Sequence, residues 1–348
     1  MNSTELINLI NTTVPVVANS ALAIKLIDCV KDVITALYEP RLVYRKKKAK
    51  YKAEIEMKQS IEGEVVFTQY EISKLKNFLK TANYANEELS SRTLTYEEDP
   101  GAVTDSNSDS STDSQDVTNS AGSAQVDFDW IMRFFDAVSL VSTEQLQQLW
   151  GKILSDEIIE PGSISLRTLD IVRNLTVSEA RSFNELCRYV MECGNTQFVI
   201  EYGFNAVPQG NSPIAGFNAH SNALIKSRGL NYLDTINPLI EAGLMVADHD
   251  FEGIIDGEFD SILMFNSRMV AILTPKENYE TVRFQPYMLT KSGSELYRVI
   301  SDSKSFTPEV EYNICCMREM QMQYPGADFI IRLIDGDNVE NISSRFEE

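Results

Sequence analysis

Histidine is scarce in this chain: 348 residues contain two, His220 and His249. Neither belongs to a His-Glu-x-x-His arrangement or has a cysteine at zinc-binding spacing, so the common zinc hydrolase designs are excluded. The five cysteines, Cys29, Cys187, Cys193, Cys315 and Cys316, include no Cys-x-x-Cys, and the last two are adjacent. That usage fits a reducing compartment where thiols serve as small apolar residues. No Gly-x-Ser-x-Gly elbow and no Gly-x-x-x-x-Gly-Lys-Ser/Thr loop occurs, which leaves the usual serine hydrolase and nucleotide-binding routes without support. The first twelve residues carry no Lys or Arg, so the charged start of a secretory signal is missing even though Ala21 and Ala23 form an Ala-x-Ala pattern. The bulk of the chain is expected to stay cytoplasmic.

Positive charge is short as well, and unevenly placed. The formal net charge is −20. Residues 1–60 hold ten Lys/Arg against six Asp/Glu, whereas residues 127–348 hold seventeen against thirty-three. An acidic body lacks the concentrated cationic face that grips duplex DNA, so no nucleic acid is expected as a partner. A basic head on such a body suits affinity for anionic lipid combined with solubility.

What is present in the head is an apolar, helix-compatible stretch, Val14–Leu37, that runs into Arg41, Arg45, Lys46, Lys47, Lys48, Lys50 and Lys52. At about 1.5 Å per residue it is long enough to cross a hydrocarbon core. It also carries Lys25, Asp28, Lys31 and Asp32, which a lone span would not tolerate. On a helix Lys25, Asp28, Asp32 and Thr35 form one polar stripe, and Leu22, Leu26, Ile27, Val30, Val33, Ile34 and Leu37 occupy the rest. Three readings fit. The helix packs on its own domain, or lies in the membrane interface with Arg41, Arg45, Lys46, Lys47, Lys48 and Lys50 on lipid headgroups, or enters the bilayer only when copies gather and their stripes face one another. The Lys run reads equally well as a solvated helix face.

Five regions follow from composition. Residues 1–60 form the apolar helix plus a basic helix; 61–96 are a helical connector; 97–126 form an acidic linker too polar to offset its ordering entropy. Residues 127–194 read as a helical bundle. Asp127 caps a helix through Phe135, Ser142 with Gln145 forms a capping box, Pro161 and Gly162 stop the next helix, and Thr176 with Glu179 starts one that ends at Gly194. Residues 195–348 mix short helices with strand-like runs at 197–202, 261–265, 269–273 and 282–288. There a helix ends at Gly243 and passes directly into Leu244-Met245-Val246, and a strand passes through Thr290 into a helix, two signatures that resemble the edges of winged-helix domains. The fold class expected is mainly α with a smaller α+β part.

The acidic segment Asp248, Asp250, Glu252, Gly253, Asp256, Glu258, Asp260 is the best candidate for chemistry. It fits the start of a calcium loop but places Phe259 where the twelfth position needs a bidentate Glu, so a solvated turn is the plainer reading and no metal is expected. His249 would sense pH if buried, and Cys315 with Cys316 would be redox-active if exposed; a loop histidine and core thiols are the plainer readings.

Three blocks, Asp129-Trp130-Ile131-Met132-Arg133-Phe134-Phe135, Gln148-Leu149-Trp150-Gly151-Lys152-Ile153-Leu154 and Pro161-Gly162-Ser163-Ile164-Ser165-Leu166-Arg167-Thr168-Leu169, resemble a bacterial family, the domain of unknown function 2806. They are also similar to abortive-infection proteins of the Abi-alpha type. The resemblance covers roughly residues 127–190 and implies phage defence, with no catalytic residue and no cofactor carried over. It points to a phage structural protein as trigger, such as a ring-shaped portal or small terminase oligomer, to self-association, and to movement from the cytoplasm to the inner membrane on activation. Two rivals stand beside that expectation: a winged-helix-like regulator or binding module, and a metal-dependent nuclease using the carboxylates of 248–260.

Overall fold

A computed structural model describes residues 21–37, 69–97, 125–200, 204, 221–246, 255–256, 262–275, 281–282, 286–303, 305–323, 327–336 and 338–342. The basic cluster 41–52, residues 98–124 of the acidic linker, His220, His249 and nearly all of the segment 248–260 lie outside these residues. The chain divides into two units, 1–173 and 174–348. The helix after Thr176 falls in the second unit.

The first unit is helical. Its described elements are α1 (residues 21–37), α2 (Gln69–Glu97), α3 (Phe128–Val138), α4 (Glu144–Ile159) and α5 (Leu166–Asn174). On α2 the residues Leu75, Phe78, Leu79, Ala82, Ala85 and Leu89 recur three and four apart, and all are buried. They meet an aromatic core. Phe78 sits edge-on to Phe135 with centroids 5.3 Å apart, Phe134 stacks on Trp130 at 5.3 Å, and Trp150 meets Phe134 edge-on at 5.5 Å. The α2–α4 crossing is tight at Gly151, where a Cβ would lie 2.6 Å from the Cβ of Tyr84. Any side chain there would push the helices apart.

The expected cap at Asp127 forms: its Oδ1 accepts from the Trp130 amide at 2.9 Å. The capping box at Ser142 and Gln145 does not. The N-cap of α4 is Thr143, one residue later, and its side chain makes no capping bond. The loop is held instead by Gln147, whose Nε2 donates to the Val141 carbonyl at 2.8 Å.

The second unit is α+β. It starts with α6 (Val177–Leu186), capped by the expected box of Thr176 and Glu179. The helix does not run to Gly194. It tightens to a 3-10 turn at Cys187–Tyr189 and gives way to β1 (Met191–Cys193) and β2 (Thr196–Ile200), joined across Gly194 and Asn195 with Gly194 at φ 56°. A Gly-Asn pair between two strands is hairpin chemistry, and it overrides the helical spacing before it. Then come α7 (residues 221–227), a π-turn at Tyr232–Ile236 leading into α8 (Asn237–Glu241), and β3 (Met245–Val246). They are followed by β4 (Ile255–Asp256), β5 (Ile262–Asn266), β6 (Met269–Pro275), β7 (Thr281–Val282), β8 (Pro286–Leu289), α9 (Lys291–Ser301), α10 (Val310–Gln323), β9 (Ala327–Asp335) and β10 (Asn338–Asn341).

Among the described residues eight strands form one antiparallel sheet in the order β10-β9-β6-β5-β1-β2-β8-β3, while β4 and β7 pair apart from it. The two winged-helix-like signatures are neighbours. Strand β3 pairs with β8, the Thr290 amide donates to the Leu244 carbonyl at 3.0 Å, and the Thr290 hydroxyl donates to the Gly243 carbonyl at 2.7 Å while accepting from the Gly293 amide. They make one corner of a sheet much larger than a two-stranded wing. The protein is thus mainly α with a smaller α+β part, as expected.

Candidate functional site

The N-terminal helix α1 is amphipathic in a way that splits the expected apolar surface. Ala23, Leu26, Cys29, Val30 and Val33 are buried, with Leu26 and Val33 fully so. Leu22, Ile27, Ile34 and Leu37 flank that face half-buried. On the polar stripe Lys25, Asp28 and Asp32 are half-buried and Thr35 is exposed. Lys31, beside the stripe, pairs with Asp28 at 3.2 Å. The residues read as the lipid face are therefore, for Leu26, Val30 and Val33, part of the first unit's core. No described helix is long and apolar enough to cross a membrane.

Cys29 of α1 lies within electrostatic reach of Glu157 on α4. Burial pushes the Cys29 thiol up to about 12, with the neighbouring carboxylates Asp32 and Asp28 and then Glu157 adding to the effect. A thiol held that high is packing material and no nucleophile. Glu157 itself is buried and holds the following loop: its Oε1 accepts from the Gly162 amide at 2.7 Å and its Oε2 from the Ile164 amide at 3.0 Å. The Ile164 carbonyl in turn accepts from the Trp130 indole at 2.8 Å. One residue before, Asp156 is 5% exposed and forms an ion pair of 2.7 Å with Arg92 of α2, whose Nε also contacts Glu88 at 3.1 Å. Desolvation pulls the Arg92 guanidinium down, but Asp156 and Glu88 more than offset it and hold its proton.

Nothing in the helical spacing marks these acids as special, since Ser155-Asp156-Glu157 sits inside the apolar run Ile153-Leu154 to Ile158-Ile159. Their only signal is position. Trp150, Ile153 and Leu154 point inward, and one turn on, Asp156 and Glu157 must too.

In the second unit Glu319 of α10 is 1% exposed, and neither of its carboxylate oxygens has a hydrogen-bond partner. Burial raises it to about 7. Near it on the same helix, Cys316 is fully buried, Cys315 partly so, and burial raises both thiols. The two cysteines are free and serve the core, and their elevated thiols are poor redox partners. Among the described residues no group of three or more His, Cys, Asp or Glu side chains converges as a metal site would require.

The family described as "Protein of unknown function (DUF2806)" matches residues 109–309, well over half of the 348. The matched segment takes in the α3–α5 bundle and the second unit up to the loop before α10, and leaves α1 and α2 outside. No curated protein and no solved structure matches the chain. The likeness carried by the Trp130, Trp150 and Pro161 blocks thus extends into the second unit as far as α9, short of β9 and β10, and the chain belongs to the domain of unknown function 2806 family.

Proposed function

We propose that this chain is a non-enzymatic sensor-effector of bacterial phage defence. Its body recognises a phage-derived protein assembly, copies gather on that template, and α1 then leaves its seat to permeabilise the inner membrane. The observation that carries the reading is α1 itself, a helix with one apolar face stored in a core and a charged stripe left outside it.

Magnitudes explain why gathering is needed. Withdrawing Leu26, Val30 and Val33 from the core costs roughly 5 to 9 kcal/mol at about 1.5 to 3 kcal/mol each. Placing four charges in lipid costs about 2.5 to 3.5 kcal/mol apiece, while each Leu, Ile or Val returns only about 0.3 to 0.6. A single copy stays closed. A repeating template raises the effective concentration, and stripes that face one another or a water-filled lumen escape the lipid.

Val30→Asp is a poor test of this reading, because it would also disrupt the first unit's core. Ile34→Asp is better, since Ile34 is only half-buried in the seated helix. The expected outcome is a protein with near wild-type melting behaviour that no longer moves to the membrane fraction or depolarises infected cells, while Thr35→Ser keeps both. Depolarisation and protection that persist in Ile34→Asp would overturn the proposal.

A further inference from the structure

On a chain of net charge −20, α2 gathers Lys74, Lys76 and Lys80 within about two turns. Lys76 and Lys80 are exposed one turn apart, and Lys74 is half-buried. Elsewhere in the first unit cations are paired, Lys31 with Asp28, Arg92 with Glu88 and Asp156, Arg133 with Asp170. Among the described residues none of the three lysines of α2 has an acidic partner. Two of them lean on rings instead: the Lys74 ammonium lies 4.7 Å from the centre of the Tyr70 ring, and that of Lys80 5.9 Å from the centre of the Tyr84 ring. Such contacts orient a cation without cancelling its charge. Apolar surface stands beside the cations. Tyr70 is 61% exposed. Asn77 donates from Nδ2 to the Ser139 carbonyl at 2.9 Å, which holds the neighbouring Leu140, 57% exposed, beside this stretch of the helix. Acids stand only at the ends, Glu71 before the lysines and Glu87 and Glu144 after them, with Glu144 accepting from the Tyr84 hydroxyl at 3.1 Å.

We infer that this face of α2, together with Leu140, docks on an anionic bilayer surface while α1 is still seated in the core. The mixture of side chains selects the occupant. Lysines beside an exposed tyrosine and leucine suit the headgroup layer, where a ring lies at the interface, an aliphatic side chain reaches the acyl boundary and ammonium groups meet lipid phosphates. Nucleic acid asks for more. Three lysines with no arginine among them make a small cationic surface, and an exposed leucine gains nothing from a phosphate backbone. The basic run 41–52 precedes this face in the chain, so the two add toward one anionic partner. Docking keeps the unit that stores α1 at the surface that α1 is to enter.

The test uses the full chain and sedimenting vesicles of phosphatidylcholine, alone or mixed with phosphatidylglycerol. Binding should need the anionic lipid and weaken as salt rises. Lys74→Gln, Lys76→Gln and Lys80→Gln together should weaken it by about a hundredfold, at about fivefold per cation, while Arg at the same three positions should keep it. Leu140→Trp supplies a local reporter, whose emission should move to the blue on anionic vesicles. Equal binding to both kinds of vesicle would overturn the inference. So would a triple Gln variant that binds like wild type, a Leu140→Trp emission that stays fixed on vesicle-bound protein, or tighter binding to duplex DNA than to the vesicles. The inference rests on the membrane reading above, and Ile34→Asp separates the two. That variant should bind the vesicles like wild type although it no longer depolarises cells; lost binding would assign the contact to α1 and overturn the docking face. Depolarisation that persists in Ile34→Asp, with binding still lost in the triple Gln variant, would sink the α1 step and leave this face standing.

Discussion

In the helical unit the buried acids Asp156 and Glu157 are each compensated, Asp156 by an ion pair with the Arg92 guanidinium and Glu157 by the amides of Gly162 and Ile164. In the α+β unit Glu319 is as deeply buried and has neither an ion-pair nor a hydrogen-bond partner among the described residues. The two arrangements have opposite energetics. A paired buried charge costs little while intact and a great deal when one partner is removed. An unpaired one carries its cost at all times when ionised, and removing it relieves the fold.

The largest expected effect comes from breaking the satisfied side. Arg92→Met would leave Asp156 buried without its cation, at about 3 to 5 kcal/mol. Urea unfolding followed by a helix signal should show that loss in the first unit, and a loss below about 1 kcal/mol would mean that water reaches Asp156 and the comparison fails.

On the unsatisfied side the prediction is a matter of pH. Glu319 is raised from 4.5 to about 7. Below the unfolded value both states hold the proton and no cost arises. Between there and about 7 the folded state keeps a proton that the unfolded state has lost, so stability falls as pH rises; above that the full cost, about 3 kcal/mol, is present. Glu319→Gln should therefore flatten the pH dependence of the second unit's stability between pH 5 and 8 and raise stability at pH 8. Parallel wild-type and variant profiles would show that Glu319 is solvated in solution.

A smaller effect sharpens the contrast from the exposed side. Thr176→Ala removes one half of the capping box at the start of α6 and should cost about 1 kcal/mol at any pH between 5 and 8. The measurement is the same unfolding curve, where a cost rivalling that of Arg92→Met would show that surface caps weigh as much here as buried pairs.

How much of this was legible follows from where each signal sits. The caps at Asp127, Thr176 and Thr290, the stop at Pro161-Gly162 and the corner at Gly243 depend on a few adjacent residues, and each appears in the structure. Of the residues of the three shared blocks that helical spacing turns inward, Trp130, Phe134, Phe135, Trp150 and Leu169 are buried, while Leu149 and Leu166 are half-buried. The hairpin of β1 and β2 was hidden because Leu186, Cys187 and Val190 keep helical spacing up to a two-residue turn. Strands β9 and β10 form by pairing with β6 and with each other, contacts too distant in sequence for a local pattern to announce. The face of α1 illustrates the limit most clearly. Amphipathicity identified Leu26, Val30 and Val33 as one surface, but a stripe of that kind is the same whether its neighbour is lipid or protein, and only the fold placed it inward.

Strand β6 pairs along its whole length with β9, from Met269 opposite Leu333 to Pro275 opposite Ala327. The family match ends at residue 309, before β9 begins. A truncation made at that point would strip β6 of its outer neighbour and leave Met269-Val-Ala-Ile-Leu-Thr274 as a bare, apolar sheet edge, uncharged and without proline before Pro275. Such an edge recruits other chains. The limit of shared sequence is therefore not a limit of folding, and a protein cut there is expected to go to inclusion bodies when one carried through β10 stays soluble.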